Sequence, residues 1–338
     1  MFSFSANPHF ASVPASQFIL NPAQRHQLLF LPDLSCFEKS NEPVAKSNSE
    51  ISFLWWLSAT YDFYCYHMYS CITEMKLDQL QVCVELVYRT IYNTTQGSKV
   101  NASSTYTDFI GIWDEFLFER LILDAIPKLG QDVDSHKVGN LKAILQQMSD
   151  VHMPNKYFHT NLYNRKNEAL AGALTALHRR LVLNEHACTV VTMLSDPSTR
   201  RDMRDDWSSP LLRDIFREIT ALLDVGQDAA FSTLRYDILS RITNLLPSTH
   251  LWLQWIKTVA TKLVVETNGK TVEGPLDRVT ASSAMIKWNM CMGLIIQRLQ
   301  IEPAKSIEHF QELRMFLDYA MFYHLHENLY SQGDMNLF

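Results

Sequence analysis

Three places along the chain gather side chains that could hold a metal or move a proton. The run RRDMRDDW at 200–207 brings Asp202, Asp205 and Asp206 close together. Clustered aspartates on a helical scaffold can chelate magnesium for a diphosphate substrate. Here the acids alternate with Arg200, Arg201 and Arg204, which predicts a solvated, salt-bridged turn. The second metal motif of such an enzyme, an Asn or Asp followed by Ser and Glu at helical spacing, is not evident. His324 and His326 in HLHE, and His186 and Cys188 in NEHAC, are each two positions apart. On a helix that spacing turns the pair to different sides, away from a common metal. H-E-x-x-H, C-x-x-C, G-x-S-x-G, a Gly-rich phosphate loop and the dinucleotide fingerprint are all missing. The expectation is a protein without enzymatic activity, cofactor or metal.

Charge speaks in the same direction. The 338 residues carry a net charge of −6 with a pI near 6.1, so no broad basic surface awaits phosphates. The cations Arg179–Arg180, Arg200–Arg201, Lys287 and Arg298 are scattered, whereas tracking a phosphate backbone takes several on one face. Cysteines stand at 36, 65, 71, 83, 188 and 291, and MFSFSANPHF lacks the plan of a signal peptide. Free thiols in a reducing compartment follow. The sequons at Asn93 and Asn101 then read as chance matches. No run of about 18 apolar residues stands out, so the expectation is a soluble intracellular protein without membrane contact.

The elements that position these residues are read as helices. Residues 1–49 hold prolines at 8, 14, 22, 32 and 43 and predict an extended arm, with LLFLPDL at 28–34 able to pin it to the body. From Glu50 the apolar period is near 3.6. Helices are expected over 50–75, 77–93, 106–126, 137–151, 165–183 and 185–196. Further helices are expected over 208–224, 228–246, 248–266, 276–301 and 304–329. Prolines end several of them, and Ser209–Pro210 has the favoured order of cap and first helical residue. NGKTVEGP at 268–275 is a tight turn, and 330–338 a tail. With scarce glycine, no alternating segment and no fixed repeat, the fold class is all-α: a bundle of about ten helices over 50–329 behind an extended N-terminal arm.

Two stretches have more apolar surface than one neighbour can cover. The first helix crowds Trp55, Trp56, Tyr61, Phe63, Tyr64, Tyr66 and Tyr69. The segment 285–301 is more telling. On a helical wheel its wide arc holds Met285, Trp288, Met292, Ile295, Ile296 and Leu299. A second, narrow arc holds Met290, Leu294 and Ile301. Two apolar arcs place a helix between two layers, one of which belongs to its own domain. ELRMFLDYAMFYHLHENL repeats the theme, with Leu313, Phe316, Leu317, Ala320, Tyr323 and Leu325 spread around more than one face.

These C-terminal segments resemble the regulatory factor X (RFX) transcription factors. The matching positions are Trp252 and Trp255 as W-x-x-W, Lys287–Trp288, Arg298–Leu299, and Asp318 followed by Met321, Phe322 and Tyr323. YDFYCYHMYSCITEMKLDQLQVCVELVYRTIYN, YTDFIGIWDEFLFERLILDAIP and LAGALTALHRRLVLNEHACTVVTMLSD are similar to the family's upstream blocks, so the likeness spans roughly 50–329. The family's winged helix and its RRLGTRG-like run do not occur in these residues. The resemblance implies a C-terminal fragment, or a family member that pairs with full-length relatives without reading DNA. It also implies a nuclear, all-helical dimerisation and regulatory module, pairing with itself or with RFX-like relatives and meeting transcriptional co-regulators. DNA would be reached only through a winged-helix domain.

A permanent two-fold interface buries more than about 2,000 Å² in total. The interface candidates are Trp255, Trp288, Met292, Ile295, Leu299, Leu313, Phe316, Phe322 and Tyr323, since large aromatics dominate interface energetics. The rival expectations are a monomeric helical scaffold that binds an adaptor in a groove, and a magnesium-dependent helical enzyme built on the aspartates around 202–206.

Overall fold

The computed structural model describes residues 48–93, 104–151, 160–207, 248–268, 276–301 and 304–330. Among them the regular elements are all helices: α1 Asn48–Thr73, α2 Leu77–Tyr92, α3 Ser104–Ala125, α4 Ser135–Val151, α5 Thr160–Ser195, α6 Pro197–Trp207, α7 Thr249–Asn268, α8 Arg278–Ile301 and α9 Ile307–Tyr330. The all-α expectation holds. The arm 1–47, most of the turn 268–275, the expected helices 208–224 and 228–246 and the tail beyond Tyr330 lie outside the described residues.

Local chemistry explains most of the boundaries. Asp134 starts α4 by accepting the backbone N–H groups of His136 and Lys137 at 2.9 and 3.2 Å. Asp277 starts α8 in the same way, accepting the Thr280 N–H at 2.9 Å. Met75, at φ 59°, marks the sharp break between α1 and α2.

Two boundaries differ most from the sequence reading. Residues 165–183 and 185–196 form one helix, α5, because nothing at Asn184 breaks it. Its amide instead accepts the Gly130 N–H at 2.9 Å and donates to the Gln131 carbonyl at 3.1 Å. The expected turn at 200–207 is the helix α6. Asp196 caps it through the Ser198 and Thr199 N–H groups, and Pro197 takes the first helical position. The proline that ends one helix therefore begins the next. At the start of α7 the Thr249 hydroxyl donates to the Leu129 carbonyl at 2.9 Å.

The chain divides into two compact units, Met1–Pro127 with Val133–His178, and Lys128–Asp132 with Arg179–Phe338. The first unit packs α1 against α2 and α3, and α4 against α2 and α3. Leu57, Tyr61, Tyr64 and Met68, at i, i+4, i+7 and i+11, form the buried face of α1. Within this core the Lys166 Nζ meets Asp114 Oδ2 at 2.6 Å and the Tyr61 hydroxyl at 2.8 Å. The Tyr61 hydroxyl donates to Asp114 Oδ1 at 2.9 Å and lies 2.8 Å from the Tyr88 hydroxyl. The ammonium also sits 5.2–5.5 Å from the ring centroids of Tyr61, Tyr64 and Tyr88. Burial opposes its charge, but Asp114 and Tyr88 more than offset this, and its pKa is raised above 10.5. Burial, then the Asp114 carboxylate, pushes Tyr61 well above 10. Gly111 leaves room for Arg165, whose guanidinium a side chain there would meet, and Arg165 pairs with Glu115 at 2.8 Å.

In the second unit α7, α8 and α9 pack on one another, and α6 packs on α9. Their buried side chains join those of Leu183, Ala187, Val190 and Leu194 from α5 in one cluster. The segment 128–132 belongs to this unit. Gly130 has φ +81°, and a Cβ there would come within 2.8 Å of Thr249 Cγ2, so glycine alone fits. Among the described residues α8 is long and apolar enough to cross a membrane, by length and composition alone, since its charged residues are few. The sequence reading missed that span-length stretch. Here it serves as a core helix, with its wide arc turned inward.

Candidate interaction surface

Of the positions that carried the resemblance, Trp252, Trp255, Trp288, Leu299, Met321 and Tyr323 meet in the core of the second unit. Trp252 and Trp255 form an edge-to-face pair with centroids 5.6 Å apart, and Trp255 forms another with Trp288 at 6.2 Å. The Trp288 indole N–H donates to Asp318 Oδ1 at 2.7 Å, and Arg314 Nε lies 3.2 Å from Asp318 Oδ2. The chain of aromatics thus runs from α7 through α8 to a carboxylate on α9. Burial raises the Asp318 pKa against the opposing pull of Trp288 and Arg314. Nearby on α9, burial and then the charge of Lys257 lower His324 to about 4.

Eight of the nine interface candidates lie inside this unit. Trp255, Trp288, Met292, Ile295, Leu299, Leu313, Phe316 and Tyr323 are buried in its core, and Phe322 stands at the surface. The wide arc of α8, from which all four α8 candidates came, is the one that faces the unit's own helices. Of the narrow arc, Met290 and Ile301 face outward while Leu294 packs partly against the core, and Val279 and Ile286 extend the outward stripe. Val279 is 79% exposed, Ile286 60%, Met290 40% and Ile301 64%. All four fall within about 60° of one another on the wheel, opposite Trp288. Gly293 shares that side, and a Cβ there would meet nothing within 4 Å.

Helix α9 repeats the arrangement. Its buried side holds Leu313, Phe316, Leu317 and Ala320, while Met315, Tyr319 and Phe322 are exposed. Tyr319 stacks on His186 with centroids 4.9 Å apart, and the Arg179 guanidinium lies 5.3 Å from the Phe322 ring. Exposed apolar side chains aligned along a helix differ from scattered ones, which any protein surface carries.

The residues suspected of metal chemistry have other partners. Asp206 Oδ2 accepts the Ser306 N–H at 2.8 Å and the Ser306 hydroxyl at 2.5 Å, so it secures the entry into α9. Cys188 Sγ donates to the Gln131 carbonyl at 3.4 Å. The side chain of His326 lies outside the described residues. Among the described residues no three His, Cys, Asp or Glu side chains are grouped to hold a metal ion. The cysteines described, at 65, 71, 83, 188 and 291, are free thiols.

The RFX BCD domain model matches residues 57–332, from α1 to beyond the end of α9. The chain belongs to the RFX BCD domain family. The likeness noted over roughly 50–329 is therefore borne out, and this is a region of the RFX transcription-factor type. RFX BCD is a transcription-factor family, not a family of enzymes. Among curated proteins, and among solved structures, none matches this chain. Within the RFX BCD chain, the W-x-x-W, Lys-Trp and Asp motifs are packing devices that join α7, α8 and α9.

The buried Lys166–Asp114 cluster went unnoticed in the sequence. The ion pair spans 52 positions, and a lone lysine on a helix reads as a solvated charge. One signal pointed to it: Tyr61, on an otherwise apolar helix face, brings a hydroxyl that needs a partner once buried. With both charges enclosed, the cluster serves to lock helices together.

Proposed function

We propose that this RFX BCD chain is a dimerisation and regulatory module of a transcription regulator, acting in the nucleus by pairing subunits through apolar helix faces. The observation that carries this reading is the outward stripe on α8. The unit already buries the wide arc, so Val279, Ile286, Met290 and Ile301 contribute little to its own core. Aligned along one helix, they suit a partner that covers them. The partner is a second copy or an RFX-like relative, and co-regulators then meet the paired assembly. DNA contact is left to winged-helix domains.

In this reading the interface is formed by the exposed stripe rather than by the eight buried candidates. Trp255, Trp288, Met292, Ile295 and Leu299 shape α8 from within, as do Leu313, Phe316 and Tyr323 for α9. Phe322, exposed on α9, stays a contact candidate. Light scattering on the chain from nanomolar to tens of micromolar tests the reading. The expected result is a dimer throughout the upper part of that range. A strict monomer, which also fails to capture an RFX-like relative, overturns it.

A further inference from the structure

The stripe on α8 has an internal symmetry that points to what covers it. Val279 lies eleven residues before Met290 and Ile301 eleven after, while Ile286 and Leu294 lie four before and four after. Leu294 packs partly against the core. Two copies of α8 laid antiparallel about Met290 therefore set Val279 against Ile301, Ile286 against Leu294, and Met290 against itself. Such register symmetry is what an isologous contact requires, since one patch must complement itself.

The stripe itself carries no charge that would meet its own copy. Helix α8 contains no acid, and the side that bears the stripe carries Ser282, Asn289, Gln297 and Gln300 between its apolar residues. A charged group near a two-fold axis would meet its own copy. Hydroxyl and amide side chains both donate and accept, so they tolerate that meeting. Lys287 and Arg298 border the stripe. A parallel pair would set each beside its own copy. The antiparallel pair separates the two Lys287 by about 9 Å and the two Arg298 by about 24 Å along the axis, at 1.5 Å per residue. It also opposes the helix dipoles. Gly293, with open space before it, lets the second copy approach closely.

We propose that a second copy of this chain covers the stripe, with the two α8 helices antiparallel and Met290 on the two-fold axis. This rests on the dimerisation reading and adds the helix, direction and register. At an interaxial distance of 8–10 Å, facing Cα atoms stand roughly 4–5 Å apart, near the range that a disulfide spans.

The test is cross-linking of two full-chain variants, Val279→Cys and Ile301→Cys, made separately and co-expressed. Air oxidation followed by mass spectrometry of the linked peptides reads the result. The expected 279–301 link forms on co-expression. Neither variant alone links to itself, because like positions stand about 33 Å apart along the axis. Self-linking of either variant overturns the antiparallel register. Absence of any link in a chain that light scattering shows to be dimeric overturns it too, and leaves the dimerisation reading standing. A monomeric wild-type chain removes both. Met290→Glu sets two carboxylates on the axis and is expected to weaken the dimer about 100-fold or more. Its circular dichroism should be unchanged, since Met290 is exposed in the single chain. A variant that dimerises as before overturns the placement of Met290.

Discussion

Replacing Lys166 by methionine keeps the stem that packs among the tyrosines and removes the charge. The Lys166 side chain is fully buried and Asp114 is 2% exposed. In the variant, Asp114 keeps the Tyr61 hydroxyl as donor but loses the ammonium at 2.6 Å. Removing one member of a buried pair costs about 3–5 kcal/mol, because the surviving charge is left without compensation. Against a typical total of about 5–15 kcal/mol, that is a large share of one unit's stability. The double variant Lys166→Met, Asp114→Leu removes both charges and leaves the Tyr61 and Tyr88 hydroxyls to each other. It should recover most of the loss, to within about 1–2 kcal/mol of the parent, because burying the pair cost solvation of both ions. Urea unfolding, followed by hydrogen exchange of peptides from α1 and α3, isolates this unit from the other. Two results would refute the reasoning: a Lys166→Met cost below about 1 kcal/mol, or a double variant as unstable as the two single losses summed.

Three further outcomes are expected. His324 has a folded pKa near 4, below its usual 6.5, so the unfolded chain binds a proton first and stability falls as pH drops between those values. The loss approaches about 3 kcal/mol at the low end, and His324→Gln should flatten the melting temperature over that pH window. Gly130→Ala forces a side chain into a positive-φ position against Thr249 and should cost about 1–3 kcal/mol, read by denaturant unfolding of the second unit. Asp206→Ala removes both bonds onto Ser306 and should speed hydrogen exchange in the first turn of α9, for a loss of about 1 kcal/mol, while metal titration by calorimetry shows no change from the parent.

Much of this architecture is legible from residues that act locally. The periodicity of LDQLQVCVELVYRTIY places α2 within one residue of the expected end, and Asp277 starts α8 through bonds a few residues away. The continuity of α5 was harder to see, because Asn184 satisfies its amide on a loop more than fifty positions earlier. Asp206 likewise looks like one of several acids until Ser306 arrives from a hundred positions later.

The helix α8 divides these two kinds of information most clearly. Its sequence by itself determined that there are two apolar arcs, since angle around a helix depends only on position along it. Which arc turns inward was decided by the tertiary structure. The wide arc carries Trp288, whose indole finds both Trp255 and the Asp318 carboxylate, and no local rule names such partners in advance. Once that arc was spent on the unit's own core, most of the narrow one was left facing outward. Lys166 makes the same point: a charge can sit deep inside only where distant residues supply both its counterion and its hydrogen bonds, and that supply exists only in the folded chain.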